Sequence, residues 1–167
     1  MTKRKTLYLI GGTMGVGKTM VGQILKQRMD RAVFLDGDWC WDADPFQVNE
    51  ETKKMVTDNI CYLLNNFLRC SVYENIIFCW VMHQQEIIDQ ILSGLHTAGY
   101  EVKAISLICT EEALKKRLEK DVRAGLRRAD VIERSIGRIA LYDALRTVKV
   151  DVSEISAGQA AERILSM

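Results

Sequence analysis

The strongest signal in the 167-residue sequence is Gly12-Thr13-Met14-Gly15-Val16-Gly17-Lys18-Thr19, which fits the pattern G-x-x-x-x-G-K-[ST]. The apolar run 6–10 precedes this stretch and an amphipathic segment follows it, so it joins a predicted strand to a predicted helix. Glycines let the backbone approach an anion closely, and amide groups at the start of a helix point at phosphate oxygens. We therefore predict that residues 12–19 bind the phosphates of a nucleotide, with Lys18 between the β- and γ-phosphates and the Thr19 hydroxyl on Mg²⁺.

Short apolar runs alternate with longer helical patterns along the rest of the chain. The predicted strands cover residues 6–10, 32–35, 75–81, 102–108 and 147–150. The predicted helices cover about 18–29, 50–70, 84–98, 111–120, 130–145 and 157–165. This alternation is typical of an α/β fold around a parallel sheet. No repeat, low-complexity segment or linker divides the sequence, so we expect residues 1–167 to form one domain.

Composition excludes several classes of protein. The 23 basic and 22 acidic residues nearly cancel, which argues against nucleic acid or a membrane surface as the main partner. No apolar run approaches the length of a bilayer span, and the run 7–10 after the basic start is too short for a signal peptide. Five cysteines and two histidines show no zinc spacing, and we interpret the cysteines as buried reduced thiols. We expect a cytoplasmic protein, a monomer or weak homodimer.

Two carboxylates follow the second predicted strand, in Phe34-Leu35-Asp36-Gly37-Asp38-Trp39. Ligands of open α/β sheets bind at the carboxyl ends of the strands, where both acids would lie. One carboxylate can reach Mg²⁺, directly or through water, while the other orients and deprotonates an acceptor hydroxyl. The alternative is an ordinary acidic turn.

A basic segment follows the fourth predicted strand. Residues 115–138 contain nine basic and four acidic side chains. An arginine-rich segment of this kind can close over ATP, expel water and neutralise the migrating phosphoryl group. The alternative is a solvated helix.

Other nucleotide-binding classes fit less well. A GTPase would need an N-K-x-D motif, and no asparagine here is followed by lysine. A mechanical ATPase would need a strand that ends in Asp-Glu, whereas the third predicted strand ends in Cys79-Trp80-Val81. The acid pair and the basic segment favour a small phosphotransferase.

In these features the chain resembles the small P-loop kinases of the shikimate kinase, gluconate kinase and chloramphenicol phosphotransferase group. The resemblance extends from the P-loop, residues 12–19, through Leu35-Asp36-Gly37-Asp38 and Arg117 to Gly137-Arg138-Ile139-Ala140-Leu141-Tyr142 and Thr147-Val148-Lys149-Val150-Asp151. It implies a three-layer fold with five parallel strands in the order 2-3-1-4-5, flanked by helices, and an arginine-rich lid at about residues 121–130. Trp80-Val81-Met82-His83 stands where shikimate kinases carry a Gly-Gly-Gly turn, and residues 44–66 contain no arginine, so the acceptor stays open.

The resemblance also implies roles for single residues. Asp36 would be linked to the metal, together with Thr19, and Asp38 would face the acceptor. Arg117 would lie along the adenine, with residues 151–153, beginning at Asp151, close by.

Two further roles concern arginines. One lid arginine, from the set Arg123, Arg127 and Arg128, would meet the γ-phosphate, and Arg138 would match an arginine that binds the carboxylate of the acceptor. Arg134 and Arg138 are four residues apart, so they share a helix face and can bind an anion on the acceptor or pair with the acids that begin at Asp36.

Aromatic and imidazole side chains are further candidates for the acceptor site. Trp39 and Trp41, beside the acid pair, can form the wall of a ring-binding pocket or pack in the core. His83 can bind the acceptor or a phosphate, or serve as a structural polar residue.

The sequence therefore predicts ATP- and Mg²⁺-dependent phosphoryl transfer to a small acceptor, with Lys18, Asp38, Arg123 and Arg127 as catalytic residues. One alternative is a nucleoside or nucleotide kinase, and another is an ATP-binding regulator without transfer chemistry.

Overall fold

The computed structural model describes residues 4–167; Met1, Thr2 and Lys3, part of the basic start of the sequence, lie outside the described residues. Within this range five strands form one parallel sheet: β1 Thr6–Gly11, β2 Ala32–Asp36, β3 Asn75–Cys79, β4 Glu101–Ile108 and β5 Val148–Asp151. Six α-helices lie between and after them: α1 Lys18–Arg28, α2 Glu50–Arg69, α3 Gln85–Ser93, α4 Glu111–Arg123, α5 Asp130–Arg138 and α6 Ala157–Leu165. Two 3₁₀ turns, Gly37–Cys40 and Ile139–Ala144, complete the architecture.

The strand order is β2-β3-β1-β4-β5, and the paired strands are parallel, which confirms the predicted fold class. Thr6 of β1 is in register with Asn75 on one side and with Glu101 on the other. Every residue of β1 is buried, as expected for a central strand that is covered on both faces. The carboxyl ends of β1, β2 and β3 therefore meet at one edge of the sheet.

Alternation along β1 divides the core into two layers. Tyr8 and Ile10 pack with buried residues of α1, α4 and α6 on one face. Leu7 and Leu9 pack with buried residues of α2 and α3 on the other face. The period of two in a strand explains this division, because successive side chains point to opposite faces.

Several predicted elements have different ends in the structure, and α4 continues to Arg123, past the predicted end at residue 120. The third strand stops at Cys79 rather than at residue 81, and Met82 adopts a positive φ of 39° in the turn that follows. The third helix ends at Ser93, after which Leu95 is buried in the core. The predicted helix 130–145 is α5 followed by a 3₁₀ turn, because Tyr142 turns inward and donates a hydrogen bond from its hydroxyl to Val81 O at 2.6 Å.

Two of the expectations drawn from composition concern the state of the cysteines and the presence of membrane-spanning segments. All five cysteines are free thiols; Cys79 and Cys109 are buried, and the other three are half-buried. In residues 4–167 no helix combines the length and apolarity that a bilayer crossing requires.

Candidate functional site

The P-loop turns between the end of β1 and the start of α1. Gly15 has a φ of +87°, and a Cβ there would overlap Leu118 of α4, so only glycine fits. A Cβ on Gly12 would lie 2.6 Å from Val16 Cγ1, so this close turn also excludes a side chain. Without side chains at these two glycines, the loop backbone stays accessible to a ligand next to the N-terminus of α1, where amide groups favour an anion.

Lys18 is the first residue of α1, and its side chain bends back over the loop. Its Nζ donates a hydrogen bond to Thr13 O at 3.1 Å. Burial lowers the pKa of Lys18 to about 8, although Cys79, Asp38 and Asp36 act in the opposite direction. An anionic phosphate at this position would stabilise the ammonium form.

Thr19 and Asp36 meet across the edge of the sheet. The Thr19 hydroxyl donates to Asp36 Oδ2 at 2.7 Å, and Asp36 Oδ1 accepts from the Asp38 amide at 2.9 Å. In residues 4–167 no group of three or more His, Cys, Asp or Glu side chains can hold a metal ion by itself. One hydroxyl and one carboxylate suit Mg²⁺, which keeps several waters and is bound largely through phosphates.

Asp38 lies in the 3₁₀ turn directly after β2. Loss of hydration raises the pKa of its carboxyl, and the negative charge of Asp36 adds to that rise. The positive charges of Lys18 and Arg127, together with a hydrogen bond from the Trp80 side chain, oppose this rise in pKa. The charges of Lys18 in the P-loop and of Arg127 in the basic segment therefore both act on the Asp38 carboxyl.

A cavity of about 800 Å³ opens beside Asp38. The predicted acceptor residues His83, Arg134 and Arg138 line it, and so does the P-loop side chain of Met14. Trp39 is not among the lining residues: it is 59% exposed and packs edge-on against Phe34, with ring centroids 5.4 Å apart.

Three aromatic residues line the cavity, and one of the two predicted wall residues, Trp41, is among them. They are Trp41, Phe46 and Trp80. Sequence reasoning considered Trp41 as a wall residue but did not consider Phe46 or Trp80. The sequence did offer one sign that Trp80 belongs to the acceptor site: Trp80-Val81-Met82-His83 stands where shikimate kinases carry a glycine turn.

His83 follows β3 and is half-buried at the cavity wall. Burial and the positive charge of Arg138 lower the pKa of His83. Its Nδ1 is buried and has no hydrogen-bond partner in the described part of the chain. Neither Arg134 nor Arg138 forms an ion pair within residues 4–167, although the carboxylates of Asp38, Glu50 and Glu86 line the same cavity.

Arg117 is an anchor between α4 and two loops. Its guanidinium donates to Val16 O in the P-loop at 2.9 Å and to Val152 O after β5 at 2.6 Å. The neighbouring Asp151 accepts hydrogen bonds from the amide and hydroxyl of Ser153, which lower the pKa of its carboxyl. The structure thus brings Arg117 and the segment after β5 together beside the P-loop.

The predicted lid contains the end of α4, the connection 124–129 and the start of α5. Arg127 is half-buried and donates from Nε to Asp121 Oδ2 at 3.0 Å. Its charge lowers the pKa of Lys18. Arg123, the last residue of α4, and Arg128 are exposed.

Solved structures share this fold. A gluconokinase from Sinorhizobium meliloti 1021 matches with a TM-score of 0.72 at 16% identity, over 98% of this chain and 91% of that chain. A sugar kinase from Janibacter sp. HTCC2649 matches with a TM-score of 0.71 at 15% identity, over 97% of this chain and 93% of that chain. The APS kinase CysC of Mycobacterium tuberculosis, in complex with AMPPNP and APS, matches with a TM-score of 0.66 at 14% identity, over 98% and 96%.

These likenesses confirm, at the level of the fold, the resemblance to small P-loop kinases. No curated protein sequence matches the chain. The model of the AAA_18 family, described as an AAA domain, matches residues 9–134, and the chain belongs to this family.

Proposed function

We propose that the chain is an ATP-dependent phosphotransferase that moves the γ-phosphoryl group to a hydroxyl of a small molecule. The position of Asp38 carries the proposal: it borders the acceptor cavity, and the charges of Lys18, Asp36 and Arg127 act on its carboxyl. The matches to a gluconokinase, a sugar kinase and an APS kinase support the same class of reaction.

The P-loop would hold the donor. The amides of residues 12–19 and the Lys18 ammonium would bind the β- and γ-phosphates, while Arg117 and Asp151 border the place of the adenine. Thr19 and Asp36, which already share a hydrogen bond, would hold Mg²⁺. When bound, the ion would neutralise phosphate charge and orient the phosphoryl group.

In the transfer step, the acceptor oxygen forms a bond to the γ-phosphorus. The bond from that phosphorus to the β–γ bridging oxygen breaks, and ADP leaves. The hydroxyl proton passes to the carboxylate of Asp38. A raised pKa suits Asp38 to this task, because a base accepts a proton better as its pKa approaches the working pH.

Arg127 would stabilise the transferring group. Among the three lid arginines of the sequence prediction, only Arg127 acts on both Lys18 and Asp38. Its bond to Asp121 orients the guanidinium, which reduces the reorganisation needed during transfer. Arg123 and Arg128 have no such effect on either Lys18 or Asp38.

The acceptor side favours a hydroxyl over a phosphate. A phosphate acceptor needs no base, and the carboxylate of Asp38 would repel it. Arg134, Arg138 and His83 would bind a separate anionic or polar group of the acceptor.

Two measurements test the proposal. Calorimetry with AMPPNP and Mg²⁺ measures donor binding, and ADP release measures transfer in a library of alcohols, sugar acids, nucleosides and nucleoside monophosphates. Asp38→Asn should bind AMPPNP within about threefold of the unmodified protein and lose on the order of 10²-fold in transfer. Asp58→Asn, an exposed carboxylate of α2 that pairs with Lys54, is the matched control and should keep full activity.

The outcomes separate the alternatives. ADP release that depends only on nucleosides or nucleotides identifies the nucleoside or nucleotide kinase. AMPPNP binding with no acceptor-stimulated ADP release identifies the regulator. Transfer that survives in Asp38→Asn removes Asp38 as the base.

A further inference from the structure

The acceptor cavity has an aromatic lining that phosphoryl transfer by itself does not require. Its three aromatic residues come from two separate segments: Trp41 and Phe46 lie in the connection between the 3₁₀ turn and α2, and Trp80 is the residue after β3. The inference that follows rests on the proposed function, because it concerns the class of the acceptor.

Trp80 is held rigidly beside the proposed base. Its amide donates to Ile10 O at 3.1 Å, which ties it to the end of β1. A Cβ on Gly37 would overlap the Trp80 indole, so the ring lies directly on the backbone of the residue before Asp38. A ring fixed in this way presents aromatic surface to a ligand at little cost in conformational entropy.

Trp41 and Phe46 form a second aromatic surface. Their ring centroids are 4.3 Å apart, with an angle of 36° between the planes. Phe46 is 59% exposed and the nearby Val48 is 58% exposed, although both line the cavity. A ligand that covers this apolar surface gains hydrophobic free energy in proportion to the area removed from water.

Apolar and polar side chains share the rest of the lining. Val81 and Ile87 contribute apolar surface, and hydrogen-bonding side chains such as those of Thr57, Gln84 and Gln90 lie among them. The aromatic surface would therefore take a ring of the acceptor, while the polar side chains would take its hydroxyl and charged groups. The cavity of about 800 Å³ also lies in the range of pockets that take drug-sized molecules, roughly 300–1,000 Å³.

We propose that the acceptor is an alcohol built on a planar aromatic ring, which packs against Trp80 and the Trp41–Phe46 surface while its hydroxyl meets Asp38. Aromatic pairs favour offset or edge-to-face contacts, so a planar ring gains more from these walls than a puckered ring of equal size. The polar group at the other end of the acceptor would meet Arg134 and Arg138.

Two matched pairs of probes test the class. The first pair is 4-(hydroxymethyl)benzoate and trans-4-(hydroxymethyl)cyclohexanecarboxylate, which share the hydroxyl and the carboxylate and differ only in the ring. The second pair is uridine and methyl β-riboside, which share the sugar and differ in the planar base. Binding is measured by calorimetry with AMPPNP and Mg²⁺ present, and transfer by ADP release.

We expect the aromatic member of at least one pair to bind at least tenfold more tightly than its partner. A response of the first pair indicates a carbocyclic ring, whereas a response of the uridine pair alone indicates a nucleobase and with it the nucleoside kinase. Trp80→Leu and Phe46→Leu should each reduce this ratio at least threefold. Tyr62→Leu, an exposed aromatic of α2 that does not line the cavity, should leave the ratio unchanged.

Each contrary outcome has a separate meaning. If AMPPNP binds but neither aromatic probe binds more tightly than its partner, the inference about the acceptor is overturned and the proposed kinase function stands. If AMPPNP itself does not bind, the proposed function fails. If Trp80→Leu does not fold, Phe46→Leu decides, because Phe46 is exposed in a connecting segment.

Discussion

The P-loop and the acceptor cavity lie side by side, yet they are built in opposite ways. The P-loop is eight consecutive residues that run from the end of one strand into the first turn of one helix, and Thr13 and Val16 within it are only 2% exposed. The cavity takes its walls from distant segments, and two of its wall residues, Phe46 and Val48, are more than half exposed.

This difference separates general chemistry from specificity. A triphosphate offers the same oxygens to every enzyme that binds it, so one packed turn of fixed geometry is sufficient. An acceptor varies between enzymes, and side chains on connecting segments can change without disturbing the sheet. A buried hydrogen bond of 2.8 Å from the Thr13 hydroxyl to Ser135 O joins the two regions, because α5 also contains Arg134 and Arg138.

The largest expected effect comes from the P-loop side. Lys18→Ala should lower turnover by on the order of 10²-fold or more, because a preorganised charge on the transferring group is lost. Initial rates of ADP release measure the effect. Lys26→Ala removes a lysine from the last turn of the same helix and should leave the rate unchanged. If Lys18→Ala turned over as fast as the unmodified protein, the P-loop would have no role in catalysis.

The pH dependence of donor binding is the next largest expected effect. The pKa of Lys18 is about 8 in the free protein, and phosphate binding requires the charged form. The affinity for AMPPNP should therefore fall about tenfold from pH 7 to pH 9, with proton uptake on binding, as calorimetry in buffers of different ionisation enthalpy measures. Lys18→Arg should abolish the fall, since arginine stays charged throughout this range.

The same pKa has an opposite consequence for stability without ligand. The folded pKa of about 8 lies below the ordinary value of 10.5, so between these values the unfolded chain binds more protons at this position. The Lys18 contribution to the free energy of unfolding should rise as pH increases from 8 to 10.5. A loss of this rise in Lys18→Arg, measured by urea unfolding, would attribute it to Lys18.

Removal of the hydrogen bond from Thr13 to Ser135, which joins the P-loop to the cavity wall, should have a smaller effect. Thr13→Val removes a buried donor, and we expect a loss of about 1–3 kcal/mol in the free energy of unfolding. The KM for the acceptor should rise more than the KM for ATP, because α5 loses its anchor to the P-loop. Thr13→Ser keeps the hydroxyl and should restore most of both quantities. An equal rise in the two KM values would show that Thr13 does not link the regions.

The smallest expected effect concerns Trp39, which the sequence predicts as a wall of the acceptor site and the structure places outside the cavity. Trp39→Leu should change acceptor binding less than about twofold, because Trp39 packs against Phe34 outside the cavity. Trp41→Leu should weaken binding several-fold. Calorimetry with the aromatic probe measures both, and a larger effect of Trp39→Leu would favour the sequence prediction.

The sequence by itself determined the features that depend on neighbouring residues. The P-loop pattern, the strand that precedes it and the acid pair Asp36 and Asp38 were all readable, because each depends on a short run of residues and on alternation between strand and helix. The strand order followed from the resemblance to small P-loop kinases, and the structure confirms it.

Only the tertiary structure decided which distant residues meet. The bond from Thr13 to Ser135 spans 122 residues, and the contact of Arg117 with Val16 spans 101. The end of α5 depends on Tyr142, which turns into the core and bonds to Val81. No local pattern encodes such pairings, because they arise when packed elements from separate parts of the chain fill one shared volume.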